Sequence, residues 1–315
     1  MDFDYRDAIS GEKAEVKEKA KEVAAGLGNA LSDRRRYDSG FLSTWREILP
    51  PDKGLYVGIS NESKLTDKLT RLSAGLETWN FFDSFIPLQG GVFDAPKFHE
   101  DLRIGQQQIQ PFEMAHFPVT NELYELFCPR HHLLRDQYSW AEDAPAIYVN
   151  WYMATEFCQW LSSFARHKYR LPTEWQWEWA ARWHEDPERQ ANDSKKNDYW
   201  WGPEMDNRRC FYRENSLFDE IRRPPTLTET LRQYSDPNLR HPSSCENHQF
   251  GLLSLSGTVW EWCANRHSES GSSRVLRGGS WYFNAVNCRS SFRNNFVPSS
   301  RDSNLGFRLC RELSS

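Results

Sequence analysis

Three glutamates in tryptophan-rich segments are the first candidates for acid–base chemistry. Glu174 and Glu178 stand four positions apart, and Glu261 stands between two tryptophans. Residues four positions apart lie on the same face of a helix, so the first two could act together as a catalytic carboxylate pair. Their aromatic surroundings favour a structural role, in which the carboxylates bond backbone groups or Arg182.

Cysteine and histidine, the usual ligands of transition metals, are spread thinly along the chain. The seven cysteines include no Cys-x-x-Cys pair, which argues against a structural zinc site. Their odd number argues against a complete disulfide framework, so buried thiols are expected. The adjacent pair His131 and His132 falls in a predicted loop and is expected at the surface. We therefore predict no metal site and no cofactor.

The segment 282–305 has an unusual composition. It reads YFNAVNCRSSFRNNFVPSSRDSNL and contains no Lys, Glu, Gln, Met or Trp. At ordinary usage about five of its residues would belong to these types. Codons of the form NNC encode none of the five, and the Asn codon AAC becomes NNC when its two adenines are randomised. The segment therefore has the composition expected of Asn codons mutagenised at adenines.

Few regular elements are predicted to position these residues. A helix is predicted over 121–127 with Thr120 as its N-cap, a second over 152–165, and a third, short helix after the N-cap Thr173. Residues 184–249 are polar and contain several prolines, and they are predicted to form long loops. The 14 tryptophans indicate a core built from rings, with indole N–H groups bonded to carbonyls.

A series of motifs runs in order along residues 82–311. They are FIPLQGGVF at 85–93, FPVTN at 117–121, PAIYVNW at 145–151, RLPTEWQWEWAAR at 170–182, FGLLSLSGTVWEW at 250–262, RVLRGGSW at 274–281 and GFRL at 306–309. Together they resemble the formylglycine-generating-enzyme (sulfatase-modifying) domains. The resemblance implies an α+β, loop-rich, C-type-lectin-like fold in which the two terminal strands pair and the C-terminal loops form an exposed face. We place this domain at 82–315, after an N-terminal α-helical or α/β extension of unknown role at 1–81.

The metal ligands of the family's enzymes are only partly present. Its copper oxidases use two cysteines spaced Cys-x4-Cys after the Gly-Gly-Ser motif; the second position matches Cys288, but the first matches Phe283, which cannot ligate a metal. An iron-dependent branch uses three histidines in an added helical domain, whereas only His99 precedes His116 here. Thr258 replaces an Asn near the calcium-binding loops of relatives, so no calcium site is predicted. We predict no enzyme activity; a copper- or iron-dependent oxidase and an inactive structural or regulatory relative remain the alternatives.

The C-terminal segment also resembles the variable regions of proteins diversified by retroelements that mutagenise adenines. The positions that such regions keep constant are present at Arg277–Trp281, Ala285, Arg289, Ser290, Arg293, Pro298, Arg301 and Gly306–Leu309. An ordinary loop rich in Asn and Ser is the alternative. The resemblance implies a ligand-binding, receptor-like protein with a variable region at 282–305. Its ligand-binding residues would be Tyr282, Phe283, Asn284, Val286, Asn287, Phe292, Asn294, Asn295, Phe296, Val297, Ser300, Asp302, Ser303, Asn304 and Leu305.

Composition limits the kind of partner. The net charge is -5 and there is no long basic run, which disfavours nucleic-acid binding. No apolar run approaches the roughly 20 residues of a transmembrane helix, and the N-terminus has no apolar signal region. We therefore expect a cytoplasmic chain as written, with a cell-surface or phage-particle location left open. The expected partner is a protein or cell-surface ligand, bound by a monomer.

Overall fold

A computed structural model describes residues 85–94, 106–164, 167–183, 197–214, 223–241, 243 and 251–313. All of these residues belong to one compact unit. The predicted N-terminal extension at 1–81 lies outside the described residues, so its helical or α/β character and the boundary after it stay predictions.

Four α-helices and three 3-10 turns are found in the described part of the chain. The helices are α1 (Asn121–Glu125), α2 (Trp151–Phe164), α3 (Glu174–Ala181) and α4 (Leu227–Gln233). The 3-10 turns are Pro129–Leu134, Pro237–Leu239 and Ala285–Cys288. Helices α1 to α3 confirm the sequence predictions within one or two residues at each end.

Side-chain caps fix where the helices begin. The Thr120 hydroxyl accepts a hydrogen bond from the Leu123 backbone N–H at the start of α1. Thr173 forms a capping box with Gln176 at the start of α3. Thr226 forms another capping box at α4, where the sequence analysis predicted only long loops. That prediction was wrong because a seven-residue helix gives little periodic signal, although the Thr-x-x-Glu pattern was readable.

The first four-stranded sheet brings the two ends of the domain together. Its strands are β1 (Phe85–Leu88), β4 (Phe112–Ala115), β5 (Tyr169–Arg170) and β10 (Cys310–Glu312). Their order is β1-β4-β10-β5, and all pairs are antiparallel. The expected direct pairing of the two terminal strands was wrong, because β4 lies between β1 and β10. A separate hairpin pairs β2 (Gly91–Asp94) with β3 (Gln106–Ile109).

The second four-stranded sheet carries the C-terminal segment. Its strands are β6 (Trp260–Arg266), β7 (Arg274–Arg277), β8 (Asn294–Phe296) and β9 (Leu305–Gly306), in the order β8-β7-β6-β9. The β6–β9 pair is parallel, whereas the other two pairs are antiparallel. Two pieces of the segment 282–305 therefore form opposite edges of one sheet.

Tryptophan rings fill the interior, as the sequence predicts. Trp177, Trp260 and Trp262 are fully buried. The Trp262 indole N–H donates to the Val149 carbonyl at 2.9 Å, and that of Trp177 donates to a carboxylate. Such bonds let a large ring pack against irregular backbone without leaving a polar group unpaired.

The thiol prediction holds for the described residues, whereas the histidine prediction fails at one position. Six cysteines are buried and form no disulfide within the described part of the chain; Cys245 lies outside it. His131 is only 2% exposed, and its ring bonds the Ile147 carbonyl at 2.8 Å and Glu125 at 3.2 Å. The expected surface position was wrong for His131, since the 3-10 turn that carries it packs inward against α1.

Candidate functional site

A left-handed glycine turn sets the start of the variable region. Gly279 has φ 76°, and an added Cβ there would lie 2.5 Å from the Cys288 sulfur, so only glycine fits. Trp281 follows and is 5% exposed. Its backbone N–H donates to the Thr258 carbonyl at 3.0 Å and its indole N–H to the Ser303 carbonyl at 3.3 Å. The variable region therefore leaves the core from a fixed anchor.

A buried arginine ties the variable region to helix α3. Arg277 is fully buried and bonds the Glu178 carboxylate at 2.7 Å. The same guanidinium donates to the carbonyls of Ser290 and Phe292, both at 3.2 Å. Glu178 also accepts from Arg182 at 3.0 Å. Arg277 thus holds backbone, and its bonds do not depend on which side chains stand at positions 290 and 292.

The other two glutamates are also held by arginines of the C-terminal segment. Arg293 donates to Glu174 at 2.9 Å through Nη2, and Arg308 donates to Glu261 at 2.8 Å. The carboxylate side chains of Glu174 and Glu261 are 3% and 1% exposed. The predicted structural role of the three glutamates is confirmed. The sequence analysis named only Arg182 as a partner, because the other three arginines lie far away along the chain.

A segment that the sequence analysis treated as loop supports the first half of the variable region. We call residues 198–213 the platform and residues 282–292 the first arm. The Arg213 N–H donates to the Phe283 carbonyl at 3.1 Å, and the Ser290 N–H donates to the Asp198 carbonyl at 2.8 Å. Both bonds use backbone atoms of the first arm. These two bonds therefore fix the path of the arm through backbone atoms, while the Arg289 side chain pairs with the Asp198 carboxylate at 3.1 Å.

Two aromatic side chains of the first arm meet over one buried ring. The Phe283 and Phe292 ring centroids lie 5.6 and 6.0 Å from that of Trp260. Tyr282 packs on Phe283 at 5.9 Å. The side chains at positions 283 and 292, nine residues apart, thus pack against the same buried tryptophan.

The rest of the variable region runs along the sheet edge and then turns back. We call residues 293–302 the second arm; it contains strand β8. The Ser300 N–H donates to the Val297 carbonyl at 2.9 Å, and the Trp151 N–H donates to the Pro298 carbonyl at 3.1 Å. A turn at Pro298 confirms the predicted reversal, which Trp151 anchors through backbone.

Most of the predicted ligand-binding residues reach solvent. Tyr282, Val286 and Val297 are 53%, 43% and 50% exposed, and Asn284 is also exposed. The half-buried members are Phe283, Asn287, Phe292, Asn294, Asn295, Phe296, Ser300 and Asp302. These twelve residues, which we call the variable surface, offer apolar and amide groups at a solvent-facing position.

Three of the predicted residues are buried instead. Ser303, Asn304 and Leu305 are 8%, 6% and 0% exposed, so their expected exposure was wrong. Leu305 starts β9, the edge strand that pairs with β6, and the Asn304 carbonyl accepts from the Trp260 N–H at 2.8 Å. The parallel pairing joins segments 45 positions apart, and no local sequence pattern predicts this pairing.

An exposed tryptophan that the sequence analysis missed lies beside the variable surface. Trp140 is 62% exposed. On the same loop, Tyr138 stacks on Trp281 with centroids 5.2 Å apart, and Trp281 contacts Tyr282 at 5.6 Å. The loop therefore borders the variable surface. Among 14 tryptophans, nothing in the sequence distinguishes this one from those of the core.

The positions that match the family's metal ligands are used for packing. Phe283 has no donor atom and lies against Trp260, while the Cys288 sulfur is packed against Gly279. These residues do not fit a two-cysteine copper site. Among the described residues, no group of three or more His, Cys, Asp or Glu side chains is arranged to hold a metal ion. Thr258 adopts φ 68°, and its N–H and carbonyl both bond backbone.

Comparison with known proteins gives a family for most of the chain. The model of the sulfatase-modifying factor enzyme 1-like domain matches residues 77–313. Inactive C-alpha-formylglycine-generating enzyme 2 of Mus musculus is 31% identical over 172 residues, which cover 53% of this chain and 48% of the relative. The formylglycine-generating enzyme of Streptomyces coelicolor is 29% identical over 189 residues, which cover 53% of this chain and 52% of the relative. The chain thus spans about half the length of these curated relatives.

A solved structure shows the same fold at low sequence identity. PvdO from Pseudomonas aeruginosa superposes with a TM-score of 0.51 and 19% identity, over 73% of this chain and 94% of that one. Treponema denticola variable protein 1 superposes with a TM-score of 0.47 and 20% identity, over 73% and 95%. The described helices include none with the length and apolar character of a membrane span.

Proposed function

This chain belongs to the sulfatase-modifying factor enzyme 1-like domain family, and on that premise we propose that it is a ligand-binding protein and not an enzyme. Its variable surface takes the ligand, and adenine-directed retroelement mutagenesis diversifies that surface. The observation that carries the proposal is the composition of residues 282–305, which lack all five residue types that NNC codons cannot encode. The ligand is a protein or a cell-surface molecule.

The separation of structural residues from surface residues within the segment 282–305 supports the proposal. Several residues that such regions keep constant hold the fold together: Arg293 bonds Glu174, Trp281 bonds Ser303, and Phe307 is fully buried. The residues free to vary lie largely at the surface, and backbone bonds from the platform and from Trp151 hold the first and second arms. A change of side chain there leaves these bonds in place, so many sequences can share one fold.

The chemistry of the variable surface suits protein recognition. Tyr282, Phe283 and Phe296 offer rings with few rotatable bonds, and the asparagines offer adaptable donors and acceptors. This mixture is typical of antibody paratopes. Exposed Val286 and Val297 add apolar area of a kind that marks interaction sites when it is contiguous.

This chain lacks side chains that the family's copper oxidases use for their chemistry. Phe283 stands at the first copper-ligand position of the resemblance and provides no donor. Glu174, Glu178 and Glu261 are each in an ion pair with a buried arginine, so none is placed to exchange a proton with a substrate. A catalytically inactive structural or regulatory relative is the remaining alternative, and it predicts that varying the twelve surface positions yields no binders.

A displayed library tests the proposal. The twelve positions of the variable surface are randomised with NNC codons in the full chain, and the library is panned against one immobilised probe protein such as lysozyme. We expect most members to stay folded and binders to emerge. A control library with the same number of members randomises exposed positions among 106–111 and 232–238, and it should give none. Loss of folding in most members of the first library, or equal yields from both, would contradict the proposal.

A further inference from the structure

Two cysteines from different segments meet beneath the first arm. Cys210 ends the platform turn and Cys288 ends the 3-10 turn Ala285–Cys288. They are 1% and 0% exposed and pack in the same buried cluster. Tyr199 and Tyr212 close the same cluster. Neither thiol takes part in the ligand-binding role proposed above.

The surrounding backbone holds the two sulfurs in place. A Cβ added at Gly279 would lie 2.5 Å from the Cys288 sulfur, and one added at Gly257 would lie 3.0 Å from that of Cys210. The residue after Cys210, Phe211, accepts a hydrogen bond from the Thr258 N–H at 2.8 Å. Each sulfur therefore packs against a glycine turn, and the two thiols share one buried cluster where the platform and the first arm meet.

Further bonds keep the two segments aligned around the thiols. The Tyr199 hydroxyl donates to the Ala285 carbonyl at 2.9 Å, three residues before Cys288. The Arg213 N–H donates to the Phe283 carbonyl at 3.1 Å, three residues after Cys210. A cross-link between the sulfurs would join two segments that hydrogen bonds already hold together.

We propose that Cys210 and Cys288 are a disulfide-forming pair that locks the first arm onto the platform. The oxidant is a low-molecular-weight disulfide such as oxidised glutathione. The two protein thiols lose two protons and two electrons as their S–S bond forms, and the small disulfide is reduced to two thiols. Because burial raises the pKa of the Cys210 thiol well above its ordinary value, exchange takes place while the chain folds or when the arm opens transiently.

The cross-link would make the position of the first arm independent of its varied side chains. It closes a loop of more than seventy residues, from Cys210 to Cys288, and a long closed loop removes much of the conformational freedom of the unfolded chain. The redox state of one thiol pair would thus set the rigidity of the variable surface. This inference stands whether or not the surface is diversified.

Oxidative refolding tests the pair directly. The full chain is refolded in a mixture of reduced and oxidised glutathione, alkylated, digested and analysed by mass spectrometry. We expect one linked peptide that joins Cys210 to Cys288, and a melting temperature roughly 5–10 °C above that of the dithiothreitol-treated protein. Cys128→Ser, the matched control at another buried thiol, should keep both results, whereas Cys210→Ser should abolish both.

The unsubstituted protein tests the Cys210–Cys288 disulfide even if Cys210→Ser fails to fold. Recovery of Cys210 and Cys288 as alkylated peptides after oxidative refolding would overturn the proposal. So would a dominant disulfide from either residue to another cysteine, for instance Cys245. Equal melting temperatures of the linked and reduced forms would overturn the claim that the link locks the arm.

Discussion

Arg293→Ala removes a guanidinium that is 5% exposed and bonds the Glu174 carboxylate through both Nε and Nη2. It also removes the bond to the His267 carbonyl at 3.2 Å. Glu174, at 3% exposure, would keep only Arg277 at 3.7 Å as a cationic neighbour. Breaking a buried ion pair by removing one partner costs about 3–5 kcal/mol, because an uncompensated charge stays buried.

Urea unfolding and calorimetry measure this effect. The free energy of unfolding should fall by about 3–5 kcal/mol, and the melting temperature by roughly 10 °C. Arg289→Ala is the matched control, because Arg289 and its partner Asp198 are 43% and 39% exposed; it should cost no more than about 1 kcal/mol. A double variant with Glu174→Met and Arg293→Met should recover most of the loss, since no lone charge remains. The reasoning would be refuted by an Arg293→Ala variant as stable as Arg289→Ala.

Three further comparisons test other parts of the structure. Burial raises the pKa of Glu156 from 4.5 to about 7, so the folded state binds a proton that the unfolded chain releases, and this contribution to stability is lost as pH rises from about 4.5 to 7. Glu156→Gln should therefore stabilise the protein by roughly 2 kcal/mol at pH 8 and by little at pH 4; equal effects at both pH values would contradict the burial argument. Thr258→Asn should raise the free energy of unfolding by about 1 kcal/mol, because Asn tolerates a left-handed backbone better than a β-branched residue; a loss in urea unfolding would contradict it. Leu305→Asn should cost about 3 kcal/mol or more, whereas Tyr282→Ser with Val297→Asn should change stability by about 1 kcal/mol at most; similar melting temperatures for the two proteins would show that burial does not separate these positions.

Local features of the structure were predictable from the sequence. The caps Thr120 and Thr173 lie at the starts of α1 and α3 because each needs only neighbouring residues to form. The reversal at Pro298 follows from turn chemistry in the same way. The motif series further identified the family, which no single motif could have done.

Features that depend on distant partners were not predictable. The platform contacts the first arm through backbone atoms of Asp198 and Arg213, which carry no sequence signature. Leu305 is buried because β9 pairs with a strand 45 positions earlier, whereas its neighbours in the sequence resemble an exposed loop. Helix α4 is too short for its periodicity to outweigh the polar loop around it.

The burial of residues 303–305 narrows the set of positions at which variation is expected within the segment 282–305. The twelve surface positions can change without loss of a backbone–backbone hydrogen bond, whereas Asn304 and Leu305 are buried next to strand β6. Diversification that reaches codons 303–305 would therefore yield a fraction of unfolded proteins. Selection for folded binders should concentrate the surviving changes at the twelve positions.

Sequencing the DNA downstream of the gene tests the central claim most directly. The account predicts a near-copy of the 3′ end of the gene beside a reverse-transcriptase gene, with mismatches only where the copy has adenines and mostly in codons of the variable surface. Mismatches scattered over all four nucleotides, or the lack of any such copy in a complete genome, would contradict a diversified binding surface and leave residues 282–305 an ordinary loop.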